Sequence, residues 1–229
     1  MAPRAIYYDT ETTGVKADKD RIIEIAFYDA TLQKKYCTFI DPKMPIPPES
    51  SQISGITDAM VRGAPAFHEV IDAMLEFCSG DAYLIAHNND AFDFFFLQEE
   101  FKRTERQLPE YKYIDTLKWA RRYRPDLPKH SLQYLREVYQ VGERTAHRAL
   151  DDVMVLFEIF THMIGDLPIM TAYELLYSRS FLIRYMPFGK YKGKPLEEIP
   201  KHYLKWLMES GALDKQGNQD LKASLAKIT

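Results

Sequence analysis

Two acidic residues, Asp9 and Glu11, sit in the segment I-Y-Y-D-T-E-T-T-G near the N-terminus. Side chains of a strand alternate with a period of two, so both carboxylates project from one face and could share a cation. A chain with this many acids carries roughly five acid-x-acid pairs by chance, and most of them are solvated strand faces. The setting lifts this pair above that background. An apolar run typical of a buried strand precedes it and a turn signal follows, and carboxylates carried into an interior need cations or protons.

A third acid lies in A-H-N-N-D-A-F-D-F-F-F-L, where Asp90 reads as a helix N-cap and Asp93 falls in the first turn. Asp93 is either an acid favoured there by the helix dipole or a third carboxylate facing the first pair. Phe92, Phe94, Phe95 and Phe96 fit core positions by burial preference, with Phe92 next to the candidate site. The last group is E-R-T-A-H-R-A-L-D-D-V-M-V-L-F-E-I-F, where one of two adjacent aspartates must be chosen. On a wheel at 100° per residue from Ala149, the face made by Val153, Leu156, Phe157, Phe160 and Ile164 centres near about 30°. Asp152 falls on its edge at about 300°, and Asp151 at about 200°, opposite. Asp152 is therefore the functional candidate and Asp151 a surface residue. His147 precedes Asp152 by five positions, about 140° around a regular helix, so the two converge only if His147 lies in a frayed first turn or the preceding loop. Thr145 as N-cap permits that.

Composition frames this acidic set. The 229 residues are 46% apolar and 28% charged, as in a globular domain with an appendage. No run approaches the ~18 apolar residues of a membrane span, and the N-terminus reaches acids after a few apolar residues. Two cysteines, Cys37 and Cys78, are too few for a disulfide framework or a zinc site and read as small core residues. A reducing, cytoplasmic location with no membrane partner is expected. The net charge of −3 is unevenly spread: residues 184–229 carry nine Lys/Arg against five Asp/Glu, a balance of +4, which leaves −7 for the rest. A basic tail suits a polyanion, whereas an acidic body repels one unless cations neutralise its carboxylates.

The elements that must position these groups follow from pattern. Strands are predicted over 5–12, 21–29 and 35–40, joined by short turns as an antiparallel meander. After the proline-rich 41–50 come a helix over 67–78, a strand over 82–86, a helix over about 91–103, a strand over 112–115, and helices near 116–122, 131–139 and 146–164. This alternation predicts an α/β fold: a mixed central sheet, with parallel strands joining the meander, flanked by helices and followed by a small C-terminal appendage. The predicted division is 1–165, a linker over 166–184, and a basic module over 185–229 that is small for an independent core and is expected to dock on the body.

In order along the chain, D-T-E-T-T-G, N-N-D-A-F-D and H-R-A-L-D-D resemble the three motifs of the DEDDh branch of the DnaQ-like 3′–5′ exonucleases, with I-T-D-A-M-V-R-G-A-P-A-F and H-S-L-Q-Y-L in family order between them. The resemblance covers about residues 4–164. The tail M-P-F-G-K-Y-K-G-K-P-L-E-E-I-P-K-H-Y-L-K-W-L is similar to the C-terminal module of exodeoxyribonuclease X-like proteins. The resemblance implies an RNase H-like fold, two Mg²⁺ or Mn²⁺ ions held by Asp9, Glu11, Asp93 and Asp152, and His147 as general base. It further implies substrate contacts from Thr10, Thr12, Gly14, His87, Asn88, Asn89 and Phe92. Motif II is one residue longer than the commoner H-N-x-x-F-D form, which leaves Asn88 and Asn89 as alternatives for the motif asparagine. Ser54 stands where many relatives have His before G-I-T, a change that bears on substrate contacts.

The implied activity is metal-dependent removal of nucleoside 5′-monophosphates from a free 3′ end, with DNA favoured over RNA through the tail. Trimming of RNA 3′ ends is the alternative within that class, because the same acids serve both sugars. A non-catalytic nucleic-acid-binding adaptor is the alternative of another class, opposed by the presence of all five motif residues. Arg121, Arg122, Arg124 and Lys129, together with Arg144 and Arg148 beside the histidine, are either phosphate contacts or a solvated basic face. Lys190, Lys192 and Lys194, alternating with Tyr191 and Gly193, suit a backbone-tracking contact that is blind to sequence.

Overall fold

The three N-terminal apolar segments pair as their alternation predicts. In a computed structural model, which describes residues 3–142, 148–177, 183–213 and 218–226, β1 (Arg4–Thr12), β2 (Ile22–Asp29) and β3 (Lys34–Phe39) form an antiparallel meander. Two further strands, β4 (Ala82–Ala86) and β5 (Lys112–Asp115), add in parallel on the other side of β1, so the sheet order is β3-β2-β1-β4-β5.

Between the meander and β4 lie α1 (Pro48–Ser54), α2 (Asp58–Val61) and α3 (Phe67–Phe77); α4 (Asp93–Arg103) links β4 to β5. After β5 come α5 (Thr116–Tyr123), α6 (Leu132–Val138), α7 (Ala149–Ile164) and α8 (Ile169–Tyr177). The two faces of β1 bury different layers. Ile6 and Tyr8 pack with Val70, Ile71 and Met74 of α3 and Phe96, Leu97 and Phe101 of α4. Tyr7, one residue out of phase, packs on the opposite face with Trp119 of α5, Val153, Leu156 and Phe160 of α7, and Ala172 and Leu176 of α8. The result is the expected mixed sheet with helices on both faces, and it leaves Asp9 and Glu11 on the α7 side.

Five expectations need correction. Phe95, read with its neighbours as a core residue, is 38% exposed because it falls on the outer side of α4. Residues 169–177, read as part of a linker, form α8, because Ala172 and Leu176 recur at helical spacing and are buried in the core. Asp90 does not cap α4: it lies in a 3₁₀ turn, Asn89–Ala91, and Phe92 occupies the N-cap position. Cys78 is buried, but Cys37 is exposed, since β3 is an edge strand with one uncovered face. Of the predicted 146–164 helix, the described part begins at Ala149; Thr145, the predicted N-cap, lies outside the described residues.

The chain divides into two compact units, Met1–Leu176 and Tyr177–Thr229. The second contains α9 (Lys201–Glu209) and α10 (Gln219–Leu225) and has a core of its own, built from Met186, Leu196, Ile199, Leu204, Leu207, Leu213, Leu221 and Leu225. Its Arg184–Met186 segment pairs with Lys194–Leu196 through Met186 N–H to Lys194 O and Leu196 N–H to Arg184 O, both 2.8 Å. Among the described residues no single helix is long and apolar enough to cross a membrane.

Candidate active site

The C-terminal end of β1 brings Asp9, Glu11 and Asp152 together. Ligand-capable oxygens of the three carboxylates lie within 4.8 Å of one another. Asp9 and Glu11 reach this point because they share a face of β1, and Asp152 because it stands on the first turn of α7, which packs on that face. Asp9 and Glu11 are half-buried, and Asp152 is 8% exposed. Asp151 is half-buried outside the cluster.

Burial and mutual repulsion raise Asp9 and Glu11 above the ordinary carboxylate range. Desolvation, then the charges of Asp152 and Glu24, push Glu11 up to about 8, with Arg148 a smaller opposing influence. Asp9 is raised well above the ordinary aspartate value by burial, then by Asp93, Glu11 and Asp152. Asp93 lies beside the cluster rather than in it. Its Oδ1 accepts from Thr10 Oγ1 at 2.8 Å and Thr10 N–H at 3.1 Å. Burial raises Asp93 to about 7 against the lowering effect of those Thr10 bonds. Thr10 is thus buried and engaged with Asp93.

Other predicted contact residues build the surrounding turns. Thr12 Oγ1 donates to Gly14 O at 2.6 Å, and a Cβ at Gly14 would displace the Asp20 carboxyl, which accepts from Lys16 N–H at 2.8 Å. Asn88 enters the 3₁₀ turn at φ 68°, a left-handed conformation that Asn tolerates better than most residues. Asn89 is buried, accepts from Tyr8 OH through Oδ1 and donates to Asp90 through Nδ2. His87 Nδ1 pairs with Thr116 Oγ1 at 2.9 Å, and burial lowers His87 to about 4, so its ring is neutral. Phe92 packs 4.8 Å from Phe96, at the margin of the core. Ser54, buried, donates to Ser50 O and accepts from Ile56 N–H, closing α1. His147 and Arg144 lie outside the described residues.

The predicted basic patch is in part structural: Arg122 donates to Leu175 O and Leu176 O, and Arg124 to Asp126 and Tyr139. Arg148 is likewise engaged, and its partner is a residue that sequence reasoning missed. Glu24, 1% exposed, stands opposite Glu11 in the β1–β2 register. Its carboxylate accepts from Arg148 Nη2 at 2.9 Å, Arg148 Nε at 3.3 Å and the Ala149 N–H at 3.1 Å, tying the start of α7 to β2. Asp115 was also missed. It accepts from the N–H groups of Asn88 and Asp90, and from Leu117 and Lys118 as the N-cap of α5, so one buried carboxylate fixes both the motif II loop and a helix start. An acid inside the apolar run R-I-I-E-I-A, and another between Y-I and T-L, were the available signals.

The family model described as Exonuclease (RNase_T) matches residues 6–160, the whole stretch that carries this sheet and its acids. The chain belongs to the DnaQ-like 3′–5′ exonucleases. Within this metal-dependent family, the exonuclease domain is 40% identical over 163 residues to the DNA polymerase III subunit epsilon of Treponema pallidum (strain Nichols), covering 69% of this chain and 75% of that one. It is 34% identical over 165 residues to the PolC-type DNA polymerase III of Caldanaerobacter subterraneus subsp. tengcongensis, covering 71% of this chain but 12% of that much longer protein. Among solved structures it is similar to exonuclease X in complex with 5′ overhanging duplex DNA, at 26% identity and a TM-score of 0.54, over 70% of this chain and 91% of that one. It also shares the fold of exonuclease I, at 17% identity and a TM-score of 0.65, over 79% of this chain and 46% of that one. Residues 179–219 match a separate model described as "Putative quorum-sensing-regulated virulence factor".

Proposed function

We propose that this exonuclease acts on DNA and hydrolyses it with two Mg²⁺ or Mn²⁺ ions, leaving nucleoside 5′-monophosphates. The observation that carries this reading is the Asp9–Glu11–Asp152 cluster. Its donors are all carboxylate oxygens, which suit hard divalent cations, and the repulsion that raises Glu11 and Asp9 is the cost such cations would remove. Asp9, Glu11 and Asp152 would hold the ions, with Asp93, oriented by Thr10, completing the set. When bound, two such ions supply an acidified water and charge stabilisation at the scissile phosphate. His147, assigned from the sequence, would accept the proton of the attacking water, for which an imidazole with an unperturbed pKa of ~6.5 is suited. Asn88 takes the substrate contact, since the Asn89 amide is committed to Tyr8 and Asp90.

DNA is favoured over RNA by the relatives: one is a DNA polymerase III subunit, and exonuclease X is seen with duplex DNA. Both cysteines are free, which suits a reducing cytoplasm. The test is a degradation assay on matched 3′-labelled and 5′-labelled single-stranded DNA, duplex DNA and RNA, with Mg²⁺, Mn²⁺ or EDTA. Mononucleotides from the 3′ end of DNA, absent in EDTA, are expected. Faster digestion of RNA would replace the substrate class, and activity in EDTA would remove the metals. His147→Ala is expected to lower turnover by about 10²–10⁴-fold while Mn²⁺ affinity, measured by calorimetry, stays near the parental value.

A further inference from the structure

The C-terminal unit holds a tryptophan in water. On α9, Leu204 and Leu207 face the unit's core, while Trp206 is 57% exposed. Trp206 is the outer end of a continuous aromatic strip: its ring lies 5.4 Å from Tyr203, three residues earlier on the helix, and Tyr203 lies 4.7 Å from Tyr191, edge to face. Lys190 Nζ sits 5.5 Å from the centre of the Tyr191 ring. The turn that carries Tyr191 is pressed against the helix, because a Cβ at Gly189 would come within 3.0 Å of the Tyr203 hydroxyl. The same turn exposes Lys190, Lys192 and Lys194. Residues 183–213 carry six Lys/Arg against three Glu, although the body of the chain is acidic.

An exposed indole flanked by tyrosines and lysines offers the two interactions that single strands use: a π-face for bases and cations for the backbone. A protein-docking face would give the aromatic strip but not the local excess of positive charge. We propose that the Tyr191–Tyr203–Trp206 strip with Lys190, Lys192 and Lys194 is a binding site for single-stranded DNA, a base stacking on Trp206 and phosphates meeting the lysines. The choice of occupant rests on the DNA reading above.

The test uses the full chain and a fluorescein-labelled oligo-dT in EDTA, so that binding is read without hydrolysis and survives any outcome of the degradation assay. The chain has two tryptophans, and Trp119 is 2% exposed, so changes in emission report Trp206. Acrylamide quenching of Trp206 in the free protein, and protection on adding oligo-dT, are expected. Trp206→Ala should weaken binding about tenfold with an unchanged melting temperature, and Trp206→Tyr should restore most of it. Changing all three lysines to glutamine should flatten the dependence of log K on log salt by about 2. Parental binding by Trp206→Ala, or an indole that acrylamide cannot reach before DNA is added, would overturn the strip and leave the exonuclease reading intact. A change in self-association alone would make it a protein contact instead.

Discussion

Carboxylates on neighbouring strands meet at the same end of the sheet and are treated in opposite ways. Glu24 has its charge answered within the chain, by the Arg148 guanidinium and the first N–H of α7. Asp9 and Glu11, one strand away, face further carboxylates, with Arg148 only a minor relief to Glu11. The difference separates structure from chemistry. A buried acid matched by a guanidinium and a backbone N–H joins elements together, whereas clustered acids that raise one another's proton affinity are arranged for a guest of opposite charge.

Removing a member of the cluster should break the comparison most severely. Asp9→Asn or Asp152→Asn is expected to lower nucleotide release by about 10³-fold or more, as loss of several kcal/mol of metal-assisted stabilisation implies. The fold should persist, so far-ultraviolet circular dichroism stays parental. Near-parental rates from Asp9→Asn would remove it from the ligand set. Glu24→Gln should do the reverse, acting on stability first. Breaking a buried ion pair costs about 3–5 kcal/mol when both partners are buried; Arg148 is 37% exposed in its side chain, which reduces this to about 1–3 kcal/mol. That corresponds to a fall in melting temperature of roughly 2–10 °C for a chain of this size. Activity should drop by about 10–100-fold, as when a partner that orients a ligand-bearing element is lost. A Glu24→Gln protein that melts normally but loses all turnover would place Glu24 with the reacting groups.

The pH response of the cation-free protein sharpens the contrast further. Glu11, at about 8, and Asp93, at about 7, bind protons more tightly folded than unfolded, because burial and neighbouring carboxylates disfavour their charged forms. Their contribution is complete below the ordinary carboxylate range near ~4.5 and is lost as pH climbs through 7 to 8. In EDTA the melting temperature should therefore fall between pH 5 and pH 8, and Mn²⁺ should restore it most at pH 8. Glu11→Gln should flatten that fall. A profile in EDTA that rises over this window would mean that the cluster is already neutralised within the chain.

Local rules made part of this site legible. The period of two put Asp9 and Glu11 on one face, and the helical wheel put Asp152 beside the apolar stripe of α7, since both depend on neighbours in sequence. What escaped depends on distance. Glu24 was visible as an acid in an apolar run, but its meaning comes from Arg148, 124 positions away. Asp115 reads locally as a helix cap; only the fold brings it to Asn88 and Asp90. The 166–184 stretch looked like a linker because its helix is short, and α8 is held by partners on α5, α7 and the sheet. Cys37 looked like a core residue because edge and central strands share an apolar pattern, and only the sheet order sets them apart.

The smallest expected effect tests the choice between neighbours. Asp151 and Asp152 both stand in the first turn of α7, where either carboxylate is favoured by the helix dipole. They differ by about 100° in direction. Asp152 joins Asp9 and Glu11, while Asp151 is close enough to Arg148 and Cys37 for its charge to be felt there. Asp151→Asn keeps the size of the side chain and removes one charge from the Arg148 side of the helix. Turnover should stay within about threefold of parental and the melting temperature within about 1–2 °C, the ordinary range for a partly exposed site. Loss approaching that of Asp152→Asn would show that Asp151 supplies a carboxylate the reaction needs and that the choice between the two neighbours was wrong.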